Sequence, residues 1–136
     1  MFLWGYPGCM ERGKRILLVE PDQKLAEKNY LLLRKEGFVV NTTDRASEAI
    51  RTIQQERYSV VIIDVGVTDM PWNEAIPIIK GVDPTLPIIM TSNSNTPELE
   101  ASILRQKPFY YHVKSFGTEE LILAAKNAIE RSLTHG

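Results

Sequence analysis

The sequence predicts an α/β fold, in which one parallel β-sheet is covered by helices on both faces. Strand-like apolar runs alternate with helical segments five times along the 136-residue chain, which is the pattern of right-handed βαβ crossovers. The run over 60–64 (VVIID) begins with four β-branched residues and no polar alternation, which indicates a central strand buried on both faces. The length suits a single domain with a sizeable core.

Residues 1–13 precede the first regular pattern. They combine aromatic residues with glycine and proline, and we expect a disordered extension, with an aromatic anchor for a partner as the alternative. The folded domain is therefore expected over 14–134. Its first strand is expected over 15–19 (RILLV), and Asp22 is placed to cap a helix over 23–36 that Gly37 ends.

The second strand is expected over 38–42, and Thr43 or Asp44 is expected to open the second helix. After the central strand, a short helix is expected over 73–80, weakened by Pro77, which cannot donate a helical hydrogen bond. Four apolar residues of the second helix fall at i, i+3, i+4 and i+7 and so share one face: Ala46, Ala49, Ile50 and Ile53.

The last two strands are expected over 87–91 (PIIMT) and 109–113 (FYYHV). Thr96 before Pro97 indicates the start of the helix between them, as an N-cap followed by proline at the first helical position. Thr118 is expected to open the last helix. Its inner stripe is formed by Leu121, Ala125, Ala128, Ile129 and Leu133.

The composition excludes several classes of function. A formal net charge of −1 and a pI near 6.1 give no electrostatic reason to expect nucleic acid or an anionic membrane as a partner. The single cysteine rules out an internal disulfide, and no apolar run approaches the roughly 20 residues that cross a bilayer. Residues 1–13 also lack the pattern of a secretory signal, so we expect a cytoplasmic protein without nucleic-acid or membrane partners.

Polar residues stand at the carboxyl ends of four predicted strands: Glu20, Asp64, Ser92 and Lys114. Ligands of open α/β sheets bind outside these strand ends, which converge on one rim. Two carboxylates, a hydroxyl and an ammonium there suit a site for Mg²⁺ and a phosphoryl group. Each residue also has a purely structural interpretation: Asp64 as a turn cap, Glu20 as a solvated rim residue, Ser92 as loop polarity, and Lys114 as the ion-pair partner of Asp64.

From about Lys14 to Leu133 the chain resembles the receiver domain of two-component response regulators, of the chemotaxis-receiver type. The resemblance rests on RILLVEPDQKL, VVIIDVGVTDM, LPIIMTS and YYHVKSF, which follow one another at matching spacing. It implies a flavodoxin-like, doubly wound (βα)5 sheet with strand order 2-1-3-4-5. It also implies a signalling domain rather than an enzyme.

The resemblance implies a role for each residue of the site. Asp64 is implied as the phosphoacceptor, which takes its phosphoryl group from a histidine kinase or a phosphotransfer protein. Ser92 is implied as the switch hydroxyl, Tyr111 as the switch aromatic, and Lys114 as the cation that pairs with the phosphate.

By the same resemblance, Mg²⁺ is the expected cofactor. Its implied ligands are Glu20, Asp64 and the main-chain carbonyl of Gly66, with Asp22 as a further candidate. The second acidic position of the family is Pro21 here, which offers no side-chain oxygen. We therefore expect weak metal binding.

Two further departures concern loops next to the site. Lys114-Ser115 stands where the family usually has Lys-Pro with a cis bond, and a cis bond before a non-proline residue costs about 2.5–4 kcal/mol. The bond is therefore either trans, with a shifted loop, or a strained cis bond. Trp72 stands where the family often has glycine, and we expect it to pack over the acceptor loop or to belong to a partner surface.

The favoured function is a stand-alone receiver that is phosphorylated on Asp64. A charge of about −1.5 to −2 is expected to draw in Ser92 and Lys114 and to turn Tyr111 inward. This would change the surface formed by the fourth helix, fifth strand and fifth helix. That surface is expected to bind a downstream protein partner or a second copy of the chain.

Two other functions compete with this one. The first is a degenerate receiver that acts only as a protein-interaction module, which the proline at position 21 supports. The second is a flavin or nucleotide enzyme on the same fold. It is disfavoured because the acidic segment 20–22 follows the first strand, where such enzymes need a phosphate cradle.

Overall fold

A computed structural model describes residues 14–135, with side chains described for 14–132. The disordered extension predicted over 1–13 lies outside the described residues, as does the side chain of Leu133. No helix in the described part of the chain is long and apolar enough to cross a membrane.

Five parallel strands form one sheet: β1 (Arg15–Val19), β2 (Val39–Thr43), β3 (Val60–Asp64), β4 (Ile88–Ser92) and β5 (Tyr110–Val113). Their order is β2-β1-β3-β4-β5, which confirms the flavodoxin-like topology. Every residue of β3 and of β4 is buried, as expected for strands covered on both faces. The second, fourth and fifth strands each begin one residue later than predicted.

Five helices cover the sheet: α1 (Gln23–Lys35), α2 (Ala46–Gln55), α3 (Trp72–Val82), α4 (Pro97–Arg105) and α5 (Thr118–His135). One buried cluster joins the sheet to α2, α3 and α4, and a second joins it to α1 and α5. Successive strand residues point to opposite faces, so Ile62 belongs to the α1/α5 cluster and Ile63 to the other. By this alternation, Asp64 at the end of β3 faces the α1/α5 side.

The predicted helix signals at α1 and α4 are confirmed. The Asp22 carboxylate accepts the Leu25 amide at 3.2 Å, and the Thr96 hydroxyl accepts the Leu99 amide at 3.1 Å. Gly37 follows α1 with φ +97°, a backbone conformation that side-chain-bearing residues rarely adopt.

The predicted start of α2 is wrong, because neither Thr43 nor Asp44 caps this helix. Its capping group comes from the loop after β3, where the Asp69 carboxylate accepts the amides of Ala46 and Ser47, each at 2.9 Å. Burial by itself raises the pKa of Asp69, but the hydrogen bonds from Ser47 and Ala46 outweigh it and lower that pKa to about 2. This carboxylate thus ties the β3–α3 loop to α2.

The helix predicted over 73–80 is longer, and it covers Trp72–Val82 with Pro77 inside it. Proline removes one hydrogen bond of the helix, whereas Ile76 and Ile79 are fully buried against the sheet and hold it there. Trp72 is partly buried and packs against the cluster that joins the sheet to α2, α3 and α4.

Candidate functional site

Three charged side chains from the ends of β1, β3 and β5 meet on one rim of the sheet. The Lys114 ammonium lies 2.8 Å from Glu20 Oε1 and 2.9 Å from Asp64 Oδ1. Both carboxylate residues are 3% exposed, and the lysine side chain is 15% exposed. The structure therefore brings together three of the four strand-end residues that the sequence singled out.

The pKa values of this cluster reflect burial opposed by pairing. Burial raises the pKa of Glu20, and the hydrogen bonds from Lys114 and from the Asp22 amide reduce the effect without cancelling it. Burial by itself lowers the pKa of Lys114, but hydrogen bonds with Asp64 and Glu20 outweigh it and raise that pKa. One ammonium thus balances one of two buried carboxylates, and the cluster is suited to additional positive charge.

Each carboxylate oxygen of Asp64 has a defined hydrogen-bond donor. Oδ2 accepts the Gly66 amide at 2.8 Å, and Oδ1 accepts the Thr91 hydroxyl at 2.7 Å as well as the Lys114 ammonium. A Cβ at Gly66 would lie only 2.7 Å from Oδ2, so glycine is required for this close approach. The carboxylate is held in one orientation at the end of β3.

The Thr91 hydroxyl was not predicted from the sequence. Thr91 pairs with Asp64 in register and shares its face of the sheet. The strand expected over 87–91 is otherwise apolar, so a single polar residue at its last position was the one sequence feature that indicated a site contact here.

Ser92, the predicted switch hydroxyl, lies on the opposite face and does not contact Asp64. Its Oγ is 2.7 Å from the Tyr111 hydroxyl and 2.9 Å from the Ser94 carbonyl. The Tyr111 hydroxyl in turn lies 2.8 Å from Asn95 Oδ1. Ser92 and Tyr111 have one hydroxyl hydrogen each, so only two of these three contacts are hydrogen bonds at any moment. The β4–α4 loop is therefore joined to β5 by bonds that can exchange.

The Lys114–Ser115 bond is trans, because no cis peptide bond occurs within the described range 14–135. This settles the alternative that the sequence left open. A short 3₁₀ turn, Lys114–Phe116, follows β5 directly and leads into α5.

Mg²⁺ takes one or two protein carboxylates and completes its shell with phosphate and water oxygens. Glu20 and Asp64 supply two carboxylates, whereas the Asp22 carboxylate accepts the Leu25 amide at the start of α1. Among the residues with described side chains, no group of three or more His, Cys, Asp and Glu is arranged to hold a metal. The residues present fit a metal ion shared with a phosphoryl group and do not form a closed protein site.

The sequence profile of the response regulator receiver domain matches residues 16–126. The cell cycle transcriptional regulator CtrA of Caulobacter vibrioides is 26% identical over 121 residues, which cover 89% of this chain and 52% of that protein. The probable transcriptional regulatory protein TcrX of Mycobacterium tuberculosis is 27% identical over 117 residues, which cover 86% of this chain and 50% of that protein. The chain spans about half the length of these curated relatives.

Solved structures share the fold. A CheY-like receiver domain protein from Methanospirillum hungatei JF-1 superposes with a TM-score of 0.83 at 23% identity, covering 90% of this chain and 98% of that one. The beryllofluoride-activated NtrC4 receiver domain dimer gives a TM-score of 0.81 at 23% identity, covering 88% and 98% of the two chains. At these identities the likeness concerns the fold alone.

Proposed function

The chain belongs to the response regulator receiver family, and on this premise we propose that residues 14–134 form a signalling domain that accepts a phosphoryl group on Asp64. The donor would be the phosphohistidine of a histidine kinase or of a phosphotransfer protein. The observation that carries the proposal is the buried Asp64 carboxylate, with the Lys114 ammonium at 2.9 Å and the Gly66 amide at 2.8 Å.

In the proposed reaction, a carboxylate oxygen of Asp64 attacks the phosphorus atom of the donor. The new O–P bond forms as the N–P bond breaks, and the electron pair of the broken bond stays on the imidazole nitrogen of the donor. The Lys114 ammonium, already beside the carboxylate, balances charge on the transferred group. Glu20, Asp64 and the carbonyl of Gly66 would hold Mg²⁺, which when bound supplies further positive charge to the phosphoryl oxygens.

The proposed switch uses the bonds between the β4–α4 loop and β5. An acyl phosphate adds about −1.5 to −2 charges at Asp64, by analogy with other phosphoresidues. Ser92 faces away from that carboxylate, so its hydroxyl reaches the phosphoryl group only if the loop moves and the Ser92–Tyr111 contact breaks. Tyr111 then loses a partner and adopts a new position on the surface of α4, β5 and α5.

Large apolar side chains are exposed in α4, in the turn after β5 and in α5, and such side chains suit a protein contact. Three residues share this property and are each more than half exposed: Leu104 (54%), Phe116 (67%) and Leu123 (58%). We propose that a downstream protein or a second copy of the chain binds there and distinguishes the two positions of Tyr111.

A second candidate function is an interaction module that is not phosphorylated efficiently. It is favoured by one observation, the presence of Pro21 beside the two carboxylates. A Cβ at Gly66 would lie 3.6 Å from the Pro21 ring, so the proline borders the loop next to Asp64 without offering an oxygen.

A titration with beryllofluoride and Mg²⁺, monitored by backbone amide chemical shifts, separates the two functions. Phosphoacceptor function predicts saturable shifts in the β4–α4 loop and at Tyr111, which disappear in Asp64→Asn. An absence of shifts in the wild-type chain at saturating Mg²⁺ supports the interaction module.

A further inference from the structure

Two neighbouring hydroxyl residues end β4 and face opposite sides of the sheet. The Thr91 hydroxyl donates to Asp64 Oδ1 at 2.7 Å, whereas the Ser92 hydroxyl lies 2.7 Å from that of Tyr111. Thr91 is thus the hydroxyl that contacts the acceptor carboxylate in this conformation. A phosphoryl group added to Asp64 therefore changes the acceptor of this hydrogen bond.

The Thr91–Asp64 hydrogen bond is enclosed by the protein. Both residues are 3% exposed, so water has little access to replace the hydroxyl. On the other side of Thr91 lies His112, the residue of β5 in register with it, which is 1% exposed. Hydrogen bonds to an ionised acceptor are shorter and stronger than neutral ones, and losing one in a buried place has a large effect.

We infer that the Thr91 hydroxyl shortens the lifetime of the phosphoryl group on Asp64. The inference rests on the proposed function. In the unphosphorylated state the hydroxyl donates to a carboxylate that carries a full negative charge. In the acyl phosphate that charge has moved to the phosphoryl oxygens. Whichever oxygen is esterified, Oδ1 becomes a neutral carbonyl or ester oxygen and accepts the hydrogen bond less well.

The Thr91–Asp64 hydrogen bond also affects hydrolysis of the acyl phosphate. A water oxygen attacks phosphorus, the bond between phosphorus and the Asp64 oxygen breaks, and its electron pair returns to the carboxylate; the proton of the water passes to phosphate or solvent. Thr91 stabilises the carboxylate as it leaves with this electron pair, and so accelerates hydrolysis. When the Asp64 carboxylate attacks the donor, the Thr91–Asp64 hydrogen bond must weaken, so this hydrogen bond slows phosphorylation.

The test compares wild type, Thr91→Val and Thr91→Ser. Valine keeps the shape of threonine and replaces the hydroxyl by a methyl group, and serine keeps the hydroxyl. Neither substitution removes an atom from the Lys114 or Gly66 contacts with Asp64. Each protein is phosphorylated with acetyl phosphate and Mg²⁺, the donor is removed, and the fraction of phosphorylated chain is followed by intact-mass spectrometry.

We expect the half-life of the phosphorylated Thr91→Val chain to be longer than that of wild type by about tenfold, and its phosphorylation to be no slower. The phosphorylated Thr91→Ser chain, which keeps a hydroxyl at this position, should have a half-life close to that of wild type. A purely structural role for Thr91 would lower the melting temperature and leave the half-life unchanged. Equal half-lives in wild type and Thr91→Val, or a shorter one in Thr91→Val, would overturn the inference alone. A wild-type chain that gains no phosphoryl group would instead overturn the proposed function on which it rests.

Discussion

Removing the ammonium of Lys114 tests the charge balance of the site most strongly. Lys114→Met keeps much of the aliphatic side chain and leaves Glu20 and Asp64 facing each other without a cation. Both carboxylate residues are 3% exposed, so water cannot solvate them fully in its place. The free energy of unfolding should therefore fall markedly.

The size of the loss follows from burial. Removing one partner of a buried ion pair costs about 3–5 kcal/mol, and we expect the lower end because the lysine side chain keeps 15% exposure. For a domain of this length, about 3 kcal/mol corresponds to a fall in melting temperature of about 10 °C. Lys126→Met is the matched control, since its ammonium lies 2.7 Å from Glu36 Oε1 but its side chain is 49% exposed. That surface pair should contribute less than about 1 kcal/mol.

The deficit of Lys114→Met should depend on pH. The pKa of Glu20 is already raised by burial, and Lys114 lowers it; without Lys114 it rises further. A carboxyl group whose folded-state pKa is raised favours the folded state at low pH, and that contribution is lost as pH rises through the raised value. On acidification, Glu20 in the folded variant therefore binds a proton at a higher pH than in folded wild type. The difference in the free energy of unfolding between wild type and variant should shrink as pH falls from neutral toward the ordinary pKa of a glutamate.

Urea denaturation of wild type and the two lysine variants, at neutral and at mildly acidic pH, measures these differences. A loss in Lys114→Met no larger than that in Lys126→Met would contradict the buried charge balance. A large loss that does not change with pH would show instead that packing of the lysine stem, rather than its charge, holds the site.

Two further results are expected from residues near the site. Asp69→Ala should lower the free energy of unfolding by about 1–2 kcal/mol at neutral pH because α2 loses its cap. The pKa of Asp69 in the folded chain is lowered to about 2, so wild type loses this stabilisation as the carboxylate is protonated. Urea denaturation should therefore show a smaller difference between variant and wild type as pH falls from the ordinary pKa of an aspartate to about 2. An undiminished difference at the acidic end would contradict this. Pro21→Asp adds a carboxylate beside Glu20 and Asp64, and we expect it to tighten Mg²⁺ binding about tenfold in a titration monitored by amide chemical shifts. An unchanged affinity for Mg²⁺ would contradict this expectation.

The sequence was sufficient to predict three of the residues that meet at the rim of the sheet. Glu20, Asp64 and Lys114 each follow an apolar run, and the ends of parallel strands converge whatever the details of the loops. The four β-branched residues that begin β3 also predicted correctly that this strand is buried on both faces. The predicted helix starts were also confirmed where the capping residue directly precedes its own helix, as at Asp22 and Thr96.

Features that depend on tertiary contacts were not predictable in this way. Asp69 caps a helix that begins 23 residues before it, so no local pattern reveals the bond. The hydrogen bond of Thr91 depends on the register between β3 and β4, which a single sequence does not define. Ser92 was placed in the site because it ends β4, and the family resemblance added its switch role. Alternation along β4 turns its side chain to the other face of the sheet, away from Asp64, in this conformation.

The central claim is that Asp64 accepts a phosphoryl group, and intact-mass spectrometry tests it directly. The wild-type chain and Asp64→Asn are incubated with acetyl phosphate and Mg²⁺ under identical conditions. Phosphoacceptor function predicts that wild type gains the mass of one phosphoryl group, that the adduct is lost on hydroxylamine treatment, and that Asp64→Asn gains none. A wild-type chain of unchanged mass, or an equal gain in Asp64→Asn, would contradict it.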